Sequence, residues 1–209
     1  MHGHCMNRIA GWMRKILFWV WQTRDFLLFK VDCSGGAREP EDAVPQGFRS
    51  CDVALSEDPL MEKLCALTGL RDKFVRRLEE GERCEVGLLG GELAHFSWLS
   101  RAKMHLPEIG FETRLPSKTA YVYHSYTFPA FRGKGVYAAV LRAIVRGLAQ
   151  EGAEALFVVT ENDNKAAQRA FSLAGLKPTG KVRARRRMGC WCYEPEDWYR
   201  MFSETIWGK

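Results

Sequence analysis

A chain of 209 residues, 46% of them hydrophobic and 27% charged, can bury one sizeable core, and its composition is not that of a disordered chain. Its formal charge of +6 favours anionic partners, whether a phosphorylated cofactor, an acidic membrane surface or nucleic acid, without choosing among them. Seven scattered cysteines, an odd number without a secretory leader pattern, argue against a disulfide framework and point to reduced, cytoplasmic thiols.

The chain divides into a basic amphipathic arm, residues 1–24, and a domain over residues 25–209. In the arm, Ile9, Trp12, Met13, Ile16, Leu17 and Val20 fall near helical spacing, with Arg8, Arg14 and Lys15 among them. Its uninterrupted apolar run, residues 16–21, is far shorter than the roughly 20 residues that span a bilayer. Such a helix packs on its own domain or on a second subunit in a homodimer. Alternatively, it lies at a membrane surface through residues 8–22, with Trp12, Trp19 and Trp21 at the headgroup level. His2, His4 and Cys5 sit at a terminus, and Cys190-Trp191-Cys192 lacks the second pair of ligands a tetrahedral zinc site needs, so no metal is expected.

Residues 25–32 (DFLLFKVD) read as a first strand and residues 34–47, rich in Gly, Pro and charge, as an exposed loop. Asp58-Pro59 opens a helix carrying Leu60, Met61, Leu64 and Leu67 and stopping at Gly69; residues 71–80 form a second, with Phe74, Val75 and Leu78 inward. A hairpin follows, residues 84–89 and 92–100 about Gly90-Gly91, then a short strand at 111–115 and a longer one at 121–127.

The last of these runs into Phe128-Pro129-Ala130-Phe131-Arg132-Gly133-Lys134-Gly135-Val136-Tyr137, and a long amphipathic helix leaves it, ending near Gly152. Strand, glycine turn and helix start make an anion site. The glycines allow close backbone approach, the free amides of the first helical turn point at the ligand, and Arg132 and Lys134 add charge. The turn is therefore read as a pyrophosphate holder. A P-loop is excluded because Gly-x-x-x-x-Gly-Lys-Ser/Thr is absent, and a Rossmann turn because its third glycine and its place after a first strand are missing. Beyond it come a buried strand at 156–160, a helix at 164–173 ending at Gly175, a basic stretch at 181–187 and a strand near 188–193. The basic stretch has no interleaved aromatics for base stacking, which argues against nucleic acid. A solvated, charge-protected edge strand is the plainer reading.

The two glycine-marked helices, in this order, resemble the GCN5-related N-acetyltransferase (GNAT) family. The family's phosphate turn, Q/R-x-x-G-x-G/A, is met by Arg132 and Gly135, with Tyr137 in place of the small final residue. Its later signature, N-x-x-A-x-x-L-Y-x-x-x-G-F, is met by Asn164, Ala167 and Gly175, with Ala170, Phe171 and Leu176 at the Leu, Tyr and Phe positions. The resemblance implies an α/β (α+β) fold. Its sheet is mixed but mostly antiparallel, splayed between two central strands and flanked by helices.

It also implies an N-acyltransferase that moves an acetyl or other acyl group from acyl-CoA to an amine, small-molecule or peptide, by direct attack and without a metal. The pyrophosphate would meet Arg132, Gly133, Lys134, Gly135, Val136 and Tyr137. Pantetheine would meet the backbone of Tyr126, Thr127 and Phe128, with Asn164 near its arm. Asn164 reads equally well as a helix-start hydrogen-bonding residue. The tyrosine that protonates the leaving thiolate in many members is Phe171 here, which cannot. Tyr137, Tyr126 and Ser125 offer hydroxyls, none at the family's acid position, and His124 and Glu161 are the candidate bases, each readable also as a structural histidine or a solvated acid. Two other classes stand beside the enzyme: a catalytically weak CoA-binding or regulatory module, and a membrane-surface interaction protein led by the arm.

Overall fold

The computed structural model describes residues 21–33, 44–53, 56–188 and 190–193. The predicted arm helix and the aromatic C-terminal tail lie outside them. Ten strands and four helices are described: β1 (Trp21–Asp32), β2 (Phe48–Val53), α1 (Pro59–Thr68), α2 (Arg71–Glu79), β3 (Arg83–Leu89), β4 (Glu92–Ser100), β5 (Lys103–Leu106), β6 (Phe111–Arg114), β7 (Thr119–Thr127), α3 (Val136–Gln150), β8 (Ala155–Glu161), α4 (Lys165–Leu173), β9 (Lys177–Arg187) and β10 (Cys190–Tyr193).

Eight strands form one sheet in the order β10-β9-β1-β8-β7-β4-β3-β2, and β5 and β6 form a separate pair. Its pairs are antiparallel except β7–β8, which run parallel from Thr119↔Ala155 to Val122↔Val158. Past Val122 and Val158 the two central strands part from each other and run on to Thr127 and Glu161, each still paired with its outer neighbour, β4 or β1. The sheet is therefore mixed, mostly antiparallel, and splayed in its centre.

One face of the sheet buries Phe26, Phe96, Trp98, Tyr121 and Phe157 against Met61 and Leu64 of α1, Phe74 of α2, and Met104 and Phe111 of the small sheet. The other buries Phe29, Val122, Leu156 and Val158 against Val140, Leu141 and Ile144 of α3 and Phe171 of α4. Strands covered on both sides are apolar without a break, which is why residues 26–29 read FLLF rather than alternating. Gly87 of β3 lets α3 come close: a Cβ there would stand 2.6 Å from Val140 Cγ2.

The structure corrects several boundaries. Strand β1 begins at Trp21, so residues 21–24 belong to the sheet, paired with residues 184–187, rather than to the arm. The basic stretch is no edge strand: β9 lies between β1 and β10, with Val182 and Ala184 in the core and Lys181 and Arg183 against Asp25. In β10, Cys190 and Cys192 are exposed and pair with Arg187 and Arg185, while Trp191 turns to the core. In α1 the buried stripe is Met61, Leu64 and Cys65, and Leu67 is exposed. In α2, Leu78 packs partly buried against the core as expected, and Arg77 joins Phe74 in the interior.

Candidate active site

After β7, a 3-10 turn at Pro129–Phe131 and two left-handed glycines, Gly133 and Gly135 (φ 75° each), lead into α3. Gly135 is the N-cap of α3 and no side chain caps that helix, so its first-turn amides stay open to a ligand. A Cβ at either glycine would find space; left-handed backbone is what demands glycine here. Arg132, Gly133, Lys134 and Gly135 are all exposed. The Arg132 guanidinium lies 5.5 Å from the Tyr126 ring and Nε donates to Thr127 O at 3.1 Å; Lys134 Nζ lies 5.5 Å from the Phe131 ring. Two cations thus flank an uncapped helix start, and Val136 and Tyr137 anchor it from within.

Of the backbone groups expected to meet pantetheine, Phe128 N–H is spent on Ala94 O of β4 at 3.0 Å. Antiparallel strands alternate the direction of their amides, so the Thr127 N–H points away from β4, into the splay. Asn164 does what the plainer reading gave it: Oδ1 accepts from Ala167 N–H at 3.1 Å and caps α4.

His124 holds a left-handed backbone (φ 45°) where the β4–β7 register slips, between the pairs Trp98↔Tyr123 and Phe96↔Tyr126. This bulge turns Tyr123 and His124, neighbours in sequence, onto the same face. There they meet a buried polar cluster that sequence reading missed. The Arg77 guanidinium lies 5.0 Å from the Trp98 ring and 4.7 Å from the Tyr123 ring, and Nη1 donates to His124 Nδ1 at 2.7 Å. The Tyr123 hydroxyl donates to Glu82 Oε2, itself 3.9 Å from Arg77 Nε. The His105 ring stands edge-on to Tyr123, 4.4 Å away.

Burial first, then the Arg77 charge, push His124 down to about 4, so it is neutral at pH 7. With Nδ1 accepting from Arg77, its proton is on Nε2. Burial also drives the Tyr123 phenol well above its ordinary range, so Tyr123 remains a donor.

Glu161 ends the free arm of β8 and pairs with Arg24 of β1 at 3.2 Å. Beside them a cleft of about 410 Å³ is lined by Gln22, Thr23, Asp25, Asn162 and Asp163 as well. Tyr137 lies on the opposite, α3 face. Its ring stacks on His95 (4.6 Å) and meets the edge of Phe171 (5.7 Å), and its hydroxyl lies near Ser125. Burial raises this phenol above its usual range, which keeps it protonated. Phe171, 1% exposed, fills its place between Tyr137 and Phe29 with a ring that has no hydroxyl. The sequence candidates therefore divide between two faces, His124 and Glu161 on one and Tyr137 on the other, with the splay between them.

The acetyltransferase (GNAT) family model matches residues 72–176, half of the chain. Comparison with curated protein sequences returns no match. Solved structures similar to this fold include a GCN5-related N-acetyltransferase from Kribbella flavida (17% identity, 83% of this chain and 62% of that one, TM-score 0.53). Another is a GNAT-family acetyltransferase from Colwellia psychrerythraea (16%, 84% and 60%, TM-score 0.52). A third is a GCN5-related glucosamine N-acetyltransferase region of a fungal multi-domain β-N-acetylglucosaminidase (12%, 86% and 23%, TM-score 0.58). The chain spans less than two thirds of the length of each, and at these identities the likeness is one of fold.

Proposed function

Since this chain belongs to the acetyltransferase (GNAT) family, we propose that it is an N-acyltransferase that takes an acetyl or other acyl group from acyl-CoA and passes it to an amine by direct attack. One observation carries the reading: the uncapped start of α3, behind Gly133 and Gly135 and flanked by exposed Arg132 and Lys134, opens beside the splay of β7 and β8. Amides of residues 133–137 suit a pyrophosphate, and the free arm of β7, at the Thr127 N–H, suits the amide-bearing pantetheine that leads from it.

Acyl-CoA supplies the activated thioester; the chain's own residues bind, orient and accept protons. The cleft beside Glu161 also carries Asp163, a carboxylate that favours a cationic amine, whereas Asp25 is already paired with Lys181 and Arg183. Glu161, beyond the last β7–β8 pair, is our choice for the group that takes the ammonium proton. His124, neutral and tied at Nδ1 to Arg77, offers an N–H rather than a lone pair, and orients the acceptor. The free thiols of Cys33, Cys51, Cys65, Cys84, Cys190 and Cys192 fit a reducing, cytoplasmic setting.

A second reading, a CoA-binding module with little turnover, is favoured by one observation: buried Phe171 at the position of the family's acidic tyrosine. Release of free thiol from acetyl-CoA, followed across a panel of polyamines, aminosugars, amino-acid derivatives and peptide N-termini, separates the two. Amine-dependent release is expected. Tight acetyl-CoA binding with no release above the amine-free rate across that panel would favour the module. Among the described residues no helix is long and apolar enough to cross a membrane, and the segment proposed for surface contact, residues 8–22, lies almost wholly outside them.

A further inference from the structure

With Phe171 lacking a hydroxyl, the leaving sulfur needs another donor, and the α3 face of the sheet holds one. Thr127 Oγ1 and His95 Nδ1 stand 2.7 Å apart, His95 Nε2 and Ser97 Oγ 2.8 Å, and Ser97 Oγ and Ser125 Oγ 2.8 Å. The Tyr137 hydroxyl lies near Ser125. The line follows from strand geometry: His95 and Ser97, two apart on β4, face one way, and the paired β7 brings Thr127 and Ser125 alongside. His95 and Ser97 are 0% exposed, whereas Ser125 is half-buried and sits past the last β7–β8 pair, in the splay. Four polar groups in line, two of them fully enclosed, are costly to keep in a core unless every bond is made.

His95 is neutral, since burial pushes it down to about 3, and one ring proton then sets the direction of the whole line. If Nδ1 carries it, Nδ1 donates to Thr127, Ser97 donates to Nε2, and Ser125 donates inward to Ser97. Its oxygen lone pairs would then face a departing thiolate. If Nε2 carries it, Thr127 donates to Nδ1, Nε2 to Ser97 and Ser97 to Ser125. The Ser125 oxygen then accepts from Ser97, and its own O–H is free to point into the splay. A chain of hydrogen bonds that ends in this oxygen strengthens its hydroxyl as a donor.

We propose that Ser125 is a catalytic residue whose O–H hydrogen-bonds the leaving sulfur, and that His95, as its Nε2–H tautomer, and Ser97 are the positioning residues that turn it outward. This rests on the acyl-CoA reading above. In the step, the amine lone pair forms the C–N bond and the C–S bond breaks with its electron pair on sulfur. The nitrogen's proton leaves to base or solvent, the thiolate takes its proton from solvent, and Ser125 keeps its own.

Two measurements test it. Long-range ¹H–¹⁵N correlation spectra of the full chain report the His95 tautomer directly; Nε2–H is expected, and Nδ1–H would overturn the proposal whatever the kinetics. With acetyl-CoA and an accepted amine, Ser125→Ala is expected to lower kcat by about 10- to 100-fold, with KM for acetyl-CoA within about twofold and partial recovery in Ser125→Thr. Wild-type turnover with an unimpaired Ser125→Ala would sink this inference and leave the acyl-CoA reading standing. Failure of the wild type to bind acetyl-CoA would sink that reading instead.

Discussion

Gly87→Ala isolates the contact that seats the phosphate turn on the sheet. Gly87 has no left-handed backbone, so the substitution acts through space alone. The new methyl would stand 2.6 Å from Val140 Cγ2, 3.3 Å from Val136 Cγ1 and 3.3 Å from Phe48 Cε2, where ordinary contact begins at 3.4 Å. The worst of these falls short by about 0.8 Å (3.4 minus 2.6). Val140 cannot simply swing away, because a β-branched side chain in a helix has one favoured rotamer. Helix α3 must therefore lift, at a cost of about 1–3 kcal/mol. For a chain of this size that lowers Tm by roughly 2–4 °C per kcal/mol.

Val136 is the first residue of α3, so the same lift displaces the turn and weakens acetyl-CoA binding. Thermal and urea unfolding of wild type, Gly87→Ala, Val140→Ala and the double variant read the effect. Truncating Val140 removes the worst of the three short contacts of the new methyl, so the double variant should be more stable than additivity predicts by about 1 kcal/mol or more. A Gly87→Ala protein as stable as wild type, or a strictly additive double variant, would refute the close approach of α3 to β3.

Two further predictions concern stability. His95 and His124 sit at about 3 and about 4 in the folded protein against 6.5 when free, so between pH 6.5 and 4 the unfolded chain binds more protons than the folded one. Stability should therefore fall as pH drops through that window, and the slope should flatten in His95→Gln; a pH-independent urea midpoint from 7 to 4.5 would contradict this. Asp25, held at about 2 first by its hydrogen bond from Arg183, adds nothing to that slope, because its contribution is lost only below its free value of 3.8. Asn164→Ala should cost about 0.5–2 kcal/mol through loss of the α4 cap, and Asn164→Asp should keep it. Equal melting temperatures for the two variants would mean the cap bond is not made.

What the sequence made legible was local. The glycine turn, the hydrogen-bonding helix start at Asn164 and the amphipathic stripe of α3 each lie within a few residues, where φ preference and helical period act directly. What it hid was pairing. Nothing in residues 21–32 states that the strand slots between β8 and β9, because long-range order is set by which apolar faces must be covered together. The weak alternation of β2 (FRSCDV) concealed a strand outright. The polar cluster and the buried line were missed for a shared reason: Arg77 and His95 were not singled out, although His95-x-Ser97 in a hairpin strand places two polar groups on one face. Phe171 was readable as a departure, but only the packed structure brings Tyr137 and Ser125 together beside it.

The central claim is that acyl-CoA is held at the start of α3. Calorimetric titration of acetyl-CoA into wild type and Gly135→Glu tests it most directly, since the substitution strains a left-handed position and sets a carboxylate where phosphate would lie. Saturable binding by the wild type, weakened at least about 30-fold in Gly135→Glu, is the predicted result, the electrostatic and conformational penalties together amounting to about 2 kcal/mol or more. Equal affinity in the two proteins would contradict the account.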